Sequence, residues 1–230
     1  MMGDNPKRPP IRDGGDALWV QEVFPTLQGE GPFAGQSSVF VRLGGCNLAC
    51  FWCDTEFESS TWRPDLDALF AAIMEVRAPH CDLVVITGGE PFRQDIGPFV
   101  DRLLAASMRV QIETNGTLWV DLPDVEAITI VCSPKTPRLH PDIVPRIDAY
   151  KYVVAHGEVA PDDGLPMQST QREGRQQRLA RPQPGVPVWV MPRDDADDAR
   201  NKQHEATAVA SALAHGHRLG LQLHKIVGLA

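Results

Sequence analysis

The run "LVVIT" at 83–87 is apolar from Leu83 to Ile86 and closes on two glycines, Gly88 and Gly89. It is too short for a helix and has no polar face, so it reads as a strand covered on both sides, the kind found in parallel sheets. Similar runs follow the same logic: "SVFVRL" (38–43), "RVQIET" (109–114), "ITIVCS" (128–133), "YKYVV" (150–154) and "VPVWVM" (186–191). Helical spacing lies between them. "LDALFAAIMEV" repeats apolar residues at Leu66, Leu69, Ile73 and Val76, and "IGPFVDRLLAAS" follows the next strand. A third helix is expected from Asp195 to His215 with Val209 and Leu213 on one face, and "LGLQLHKIV" closes the chain. Strands separated by helices imply parallel pairing through crossovers. The connection "CSPKTPRLHPDIVPRID" holds too much proline for a full helix. The fold class expected is therefore α/β: an abbreviated, partial (β/α) barrel with mostly parallel strands and missing helices.

A chain of 230 residues with 43% hydrophobic content can bury one full core. One domain is expected over 17–230, after a flexible leader at 1–16 rich in Pro, Gly and charge. An Arg/Pro-rich insertion at about 155–185 has no assigned role. No apolar stretch is long enough for a membrane span, and the leader has no secretory h-region. The setting expected is the cytoplasm, where thiols stay reduced; five cysteines, an odd number, agree. A net charge of -8 argues against a nucleic-acid surface. Arg172, Arg175, Arg178 and Arg181 would form a basic stripe on a helix, but their proline-rich and acidic flanks favour a solvated insertion.

Polar groups collect where strands end: Thr87 to Glu90, Glu113 to Asn115, and Ser133 to Lys135. In parallel α/β folds ligands bind at that end. Just past another strand end, "GGCNLACFWCDT" places Cys46, Cys50 and Cys53 in a C-x3-C-x2-C spacing. Soft thiolates select zinc, copper(I) or iron–sulfur clusters. Three of them leave one position of a [4Fe–4S] cluster open for chemistry. A structural zinc completed by Cys81 or a histidine is the alternative. Cys81 and Cys132 sit in or beside apolar runs, where a plain buried thiol is the ordinary reading.

The C-x3-C-x2-C motif and "TGGEP" (87–91) resemble the radical S-adenosylmethionine (SAM) superfamily. That resemblance implies a [4Fe–4S] cluster on Cys46, Cys50 and Cys53, with SAM on the open iron. It puts Trp52 near the adenine and Gly89 at the SAM amino group. Within the superfamily, "FPTLQGEGPFAGQSSVFVRLGGCNLACFWCDT", "TGGEP", "ETNGT", "CSPK", "YKYVV" and "LQLHKIVGLA" resemble the 7-carboxy-7-deazaguanine synthase family, in the same order from Phe24 to the C-terminus. The 155–185 segment matches none of its motifs. The resemblance implies conversion of 6-carboxy-5,6,7,8-tetrahydropterin to 7-carboxy-7-deazaguanine with loss of ammonia, in queuosine and deazapurine biosynthesis. It implies regenerated SAM, Mg²⁺ on Thr55, a homodimer and an electron donor such as flavodoxin. SAM is expected on Glu113, Asn115, Ser133, Pro134 and Lys135, and on Met191, Pro192, Arg193 and Asp194. Substrate is expected on Leu27, Gln28, Gly29, Glu30, Arg42, Thr87 and His224, and on the terminal carboxylate of Ala230. The chemistry suits these residues. A carboxylate such as Glu30 accepts from an amino edge and a ring N–H together, and an arginine fork pairs a carboxylate in two places.

Other readings stay open at this level. An activase that makes a glycyl radical on a partner shares the cysteine and "GGE" features. An iron–sulfur carrier or a zinc-stabilised binding module would use the thiols alone. Arg42 could form a surface ion pair, Asp54 or Thr55 could cap a following helix, and Met191 could be core packing.

Overall fold

The computed structural model of the protein describes residues 5–229. Each apolar run becomes a strand: β2 (Ser37–Leu43), β3 (Leu83–Gly88), β4 (Arg109–Thr114), β5 (Ile128–Cys132), β6 (Ala149–Val154) and β7 (Val188–Pro192). Two strands have no such run. β1 (Val20–Leu27) is a half-exposed edge strand containing a proline, and β8 (Arg218–Leu219) is two residues long. The sheet is ordered as the chain is, β1 to β8. β1 pairs antiparallel with β2, and every later neighbour is parallel. Val84, Val85, Ile86, Ile112, Val131, Val154 and Val190 have no measurable exposure, as strands covered on both faces require.

The helical layer is incomplete. α1 (Leu66–Val76) buries Leu69 and Ile73 and is capped by the Asp65 carboxylate, which accepts from the Ala68 N–H at 2.8 Å. α2 (Gly97–Ala105) packs on β4, and α3 (Asp198–His215) on β6, β7 and β8. The β4–β5 and β5–β6 connections contain no α-helix, only a 3₁₀ turn at Val144–Arg146. At the open side a short helix, α4 (Leu223–Ile226), reaches back to the end of β1: the Leu223 N–H donates to the Gly29 carbonyl at 3.1 Å. A partial (β/α) barrel with missing helices is what the alternating runs imply. Among the described residues no helix is long and apolar enough to cross a membrane.

Three arrangements add to or differ from what the sequence suggests. First, residues 5–15 are hydrogen-bonded to the rest of the chain. The Arg8 N–H donates to the Cys46 carbonyl at 2.7 Å and the Ile11 N–H to the Arg93 carbonyl at 2.6 Å. Arg93, itself buried, needs acceptors, and the Pro9 carbonyl at 2.9 Å and Gly44 carbonyl at 3.2 Å supply them. Residues 1–4 of the leader lie outside the described residues. Second, α3 does not bury Val209 and Leu213, which are 40% and 83% exposed. Its inner face is small and polar instead. Ser211 donates to the Gly164 carbonyl at 2.8 Å, and His204 accepts from the His156 N–H at 2.9 Å while meeting Asp195 at 3.1 Å. Third, no helix follows Asp54 and Thr55, so neither caps one; Thr55 Oγ1 donates to Asp54 Oδ1 at 3.2 Å.

The 155–185 segment forms two isolated bridges, Val159 with Pro166 and Gln168 with Gln176. Its arginines make no helical stripe: Arg178 pairs with Asp162 at 2.6 Å and Arg181 with Asp163 at 2.7 Å.

Helix packing yields a contrast. Ile73→Ala should cost about 2–5 kcal/mol through lost burial and a cavity. Leu213→Ala should stay within about 0.5 kcal/mol, as exposed substitutions do. Urea unfolding midpoints of the two variants check this; a large loss for Leu213→Ala would contradict the placement of α3.

Candidate active site

Because β2 to β7 run parallel, their carboxyl ends open on one rim, which lines a cavity of about 450 Å³. The β2 and β3 ends are locked by backbone. The Gly89 N–H donates to the Leu43 carbonyl at 3.2 Å and the Glu90 N–H to the Gly45 carbonyl at 3.0 Å. Only glycine permits this approach: a Cβ at position 89 would lie 2.2 Å from the Gly45 carbonyl oxygen, and Gly88 has φ +132°.

Cys46, Cys50 and Cys53 all line this cavity, whereas Cys81 and Cys132 are buried in the core. The cysteine loop is knit by the Leu48 N–H on Cys46 Sγ at 3.4 Å and the Cys53 N–H on the Cys50 carbonyl at 3.1 Å. Burial pushes the Cys46 thiol up to about 12 and also raises Cys53, so these thiolates need a cation to hold them. Among the described residues no three Cys, His, Asp or Glu side chains converge to chelate a single metal ion. Thiolates that each take a separate iron of a cubane have no need to meet at one point.

Glu90 ties the next strand ends together. One carboxylate oxygen accepts from Thr114 Oγ1 at 2.7 Å and the Phe92 N–H at 3.1 Å, the other from the Asn115 N–H at 2.7 Å. Burial pushes its pKa up to about 7 despite those hydrogen bonds. Asn115 Nδ2 in turn donates to Asn47 Oδ1 at 2.9 Å, fixing the loop between the first two cysteines.

Lys151, in the middle of β6, points its ammonium between two carboxylates. It contacts Glu30 Oε2 at 2.6 Å and also Glu113. Burial opposes its charge, but the pair of carboxylates outweighs burial and raises its pKa. Burial likewise opposes ionisation of Glu30, and Lys151 wins there too, holding Glu30 below the usual value. Gln222 Nε2 donates to Glu30 Oε1 at 3.1 Å. Gln28 is 1% exposed and spends its amide on the protein, accepting from the Glu30 N–H at 3.0 Å and donating to Glu113 at 3.3 Å. Arg42 gives its Nε to Glu22 at 2.6 Å; among the described residues its terminal nitrogens carry no hydrogen bond.

The strand ends bring most of the expected residues to this cavity: Trp52, Thr55, Thr87, Gly89, Glu113, Asn115, Ser133, Lys135, Met191 to Asp194, Gln28, Glu30, Arg42 and His224. Leu27, Gly29 and Pro134 are not on its wall. Gly29 instead makes room for the His224 ring, which a Cβ there would meet at 2.0 Å. Met191 is 2% exposed and packs beside Gly220, as core side chains do. Lys135 lies over the Trp52 ring at 5.7 Å and is bonded to Ser133, and burial lowers its pKa. Arg193 is bound to Asp195 at 2.7 Å and Glu158 at 3.1 Å, and Asp194 to Lys225 at 2.9 Å. Ala230 lies outside the described residues. Lys151, Asn5, Asn47 and Gln222 also line the cavity or hold its loops, and no motif marks them. A lysine inside an apolar strand run is the one signal that marks Lys151.

Comparison with known proteins agrees with this geometry. Residues 40–129 match the radical SAM superfamily. The 7-carboxy-7-deazaguanine synthase of Rhodospirillum rubrum is 61% identical over the full length of both chains. The synthase of Rickettsia prowazekii is 40% identical over all of this chain and 96% of its own. The crystal structure of QueE from Escherichia coli superposes with a TM-score of 0.65 at 26% identity, covering 90% of this chain and 95% of that one.

Lys151→Ala should destabilise the fold by about 3–5 kcal/mol, since it strands two buried carboxylates. An equal loss for Arg178→Ala, whose pair is exposed, would contradict this. Glu90 gives a pH test. Its folded pKa lies above the ordinary value, so its contribution is present at low pH and is lost as pH rises through about 7. Urea midpoints should fall between about pH 5 and about pH 7 more steeply in the native chain than in Glu90→Gln. Parallel profiles would contradict it.

Proposed function

The chain belongs to the 7-carboxy-7-deazaguanine synthase family of radical SAM enzymes, and we propose that Cys46, Cys50 and Cys53 are the three protein ligands of its [4Fe–4S] cluster. The observation that carries the reading is a single rim holding three thiols, a glycine-only turn and the Glu30 carboxylate. The donor set fits: soft sulfur ligands, raised thiols that a metal would ionise, and backbone at Gly89 open to a cationic amine. Bound there, the cluster and SAM would supply one-electron radical chemistry.

The reaction is the synthase's conversion of 6-carboxy-5,6,7,8-tetrahydropterin to 7-carboxy-7-deazaguanine with loss of ammonia. The chain's own part is to bind and orient. Glu30, kept ionised by Lys151, accepts from the amino and ring N–H edge of the pterin. Gln28 positions Glu30 through its backbone N–H. The terminal nitrogens of Arg42 take the substrate carboxylate as a fork. Glu113, Asn115, Ser133 and Lys135 line the SAM side, with Trp52 beside Lys135. Thr55, half-buried beside the exposed Asp54, offers a hydroxyl to Mg²⁺ alongside substrate oxygens. A homodimer, a flavodoxin-like electron donor, a cytoplasmic setting and a substrate contact from the Ala230 carboxylate belong to the same proposal.

Anaerobically reconstituted protein, given SAM, a low-potential reductant and the pterin, should release 7-carboxy-7-deazaguanine. Alanine at Cys46, Cys50 or Cys53 should abolish turnover and lower iron well below about four per chain. Alanine at Cys81 or Cys132 should leave iron unchanged. Full iron loading in all three loop variants, or none lost except in Cys81→Ala, would contradict the ligand set.

A further inference from the structure

The 155–185 segment, which the sequence motifs leave out, is hydrogen-bonded to the cysteine loop. The Phe51 N–H donates to the Thr170 carbonyl at 3.1 Å, and Thr170 Oγ1 donates to the Lys135 carbonyl at 2.9 Å. Gln171 is held by a tight turn in which the 3%-exposed Ser169 accepts from the backbone N–H of Gln171 at 3.1 Å and of Arg172 at 3.2 Å. Its side-chain amide is fully used. Oε1 accepts from the Ala49 N–H at 3.1 Å, and Nε2 donates to Thr170 Oγ1 at 2.9 Å and to Cys50 Sγ at 3.2 Å. The network fixes which way the amide points: turned over, its NH₂ would face the Ala49 N–H, donor against donor.

We propose that Gln171 is a positioning residue that sets the reduction potential of the cluster through its hydrogen bond to the Cys50 sulfur. The inference rests on Cys50 being a cluster ligand. Reduction adds one negative charge to the cluster and its thiolates. An N–H dipole aimed at a ligand sulfur stabilises that extra charge, so it raises the potential and eases the electron transfer that precedes SAM cleavage. The same amide pins the Ala49 backbone, so the sulfur and its donor cannot drift apart. In this chain an insertion that looked like solvated surface therefore acts on the metal centre.

The test uses reconstituted holoprotein and reads iron content and midpoint potential by electron paramagnetic resonance in a redox titration. Gln171→Glu keeps an oxygen facing Ala49 and replaces both donors. Gln171→Leu removes them without adding charge. Arg172→Ala alters the adjacent exposed side chain. Both Gln171 variants should keep their iron, with lower midpoints. For Gln171→Glu the ratio of reduced to oxidised cluster at fixed potential should fall about tenfold, which is about 59 mV for one electron. Arg172→Ala should match the native chain. Unchanged midpoints in both Gln171 variants would overturn the proposal, as would an equal fall in Arg172→Ala. Loss of iron from both Gln171 variants, with Arg172→Ala fully loaded, would also overturn it. Cys50→Ala separates the two levels: full iron there sinks the ligand assignment, whereas lost iron with unmoved Gln171 midpoints sinks only the role in potential.

Discussion

Seven consecutive strands, β2 to β8, point the same way, and this parallel register decides where chemistry can occur. Each strand delivers its carboxyl-end loop to the same rim, so residues far apart in sequence become neighbours with no long-range design beyond pairing. The most demanding point is where β2 meets β3. Backbone bonds from Gly89 and Glu90 to Leu43 and Gly45 bring the two loops closer than any side chain would allow. That contact sets the cysteine loop against the glycine-rich end of β3. Glu90 carries the constraint on to β4 through Thr114 and Asn115, and Asn115 returns it to the cysteine loop at Asn47.

Electrostatics adds a second layer. Burying Glu30, Glu113 and Lys151 together costs more desolvation than it returns unless each charge has partners. Here two carboxylates share one ammonium, and Gln28, Gln111 and Gln222 supply the remaining hydrogen bonds. The arrangement leaves Glu30 ionised inside the cavity, the state a pterin amino edge needs. The cysteine loop follows another rule: burial raises the thiols of Cys46 and Cys53, so a metal would have to compensate for their ionisation. One cavity thus keeps a preformed anion on one wall and a metal-dependent one on another.

The strands were legible because a run buried on both faces leaves an unbroken apolar word, as Leu83 to Ile86 does. The thiols were legible because three in eight residues have few physical explanations. β1 was not, since an edge strand with one buried residue has no apolar run to show. The inner face of α3 was misread for the opposite reason: Val209 and Leu213 look like a core stripe, while His204 and Ser211, which look solvated, make the contacts. The leader and the 155–185 segment were illegible because their roles lie in backbone bonds and single side-chain contacts such as Gln171 to Cys50, which leave no periodicity. Lys151 sat in plain view within "YKYVV", and a charge in a strand interior is the signal to weigh.

The proposal stands or falls on whether a cluster held by the three thiols and SAM would meet on this rim. The most direct measurement is the electron paramagnetic resonance spectrum of the reduced, reconstituted protein with and without SAM. SAM should change the g-values of the cluster signal, because its amino and carboxyl groups would join the iron that carries no cysteine. Identical spectra at saturating SAM, in protein carrying about four irons per chain, would contradict it.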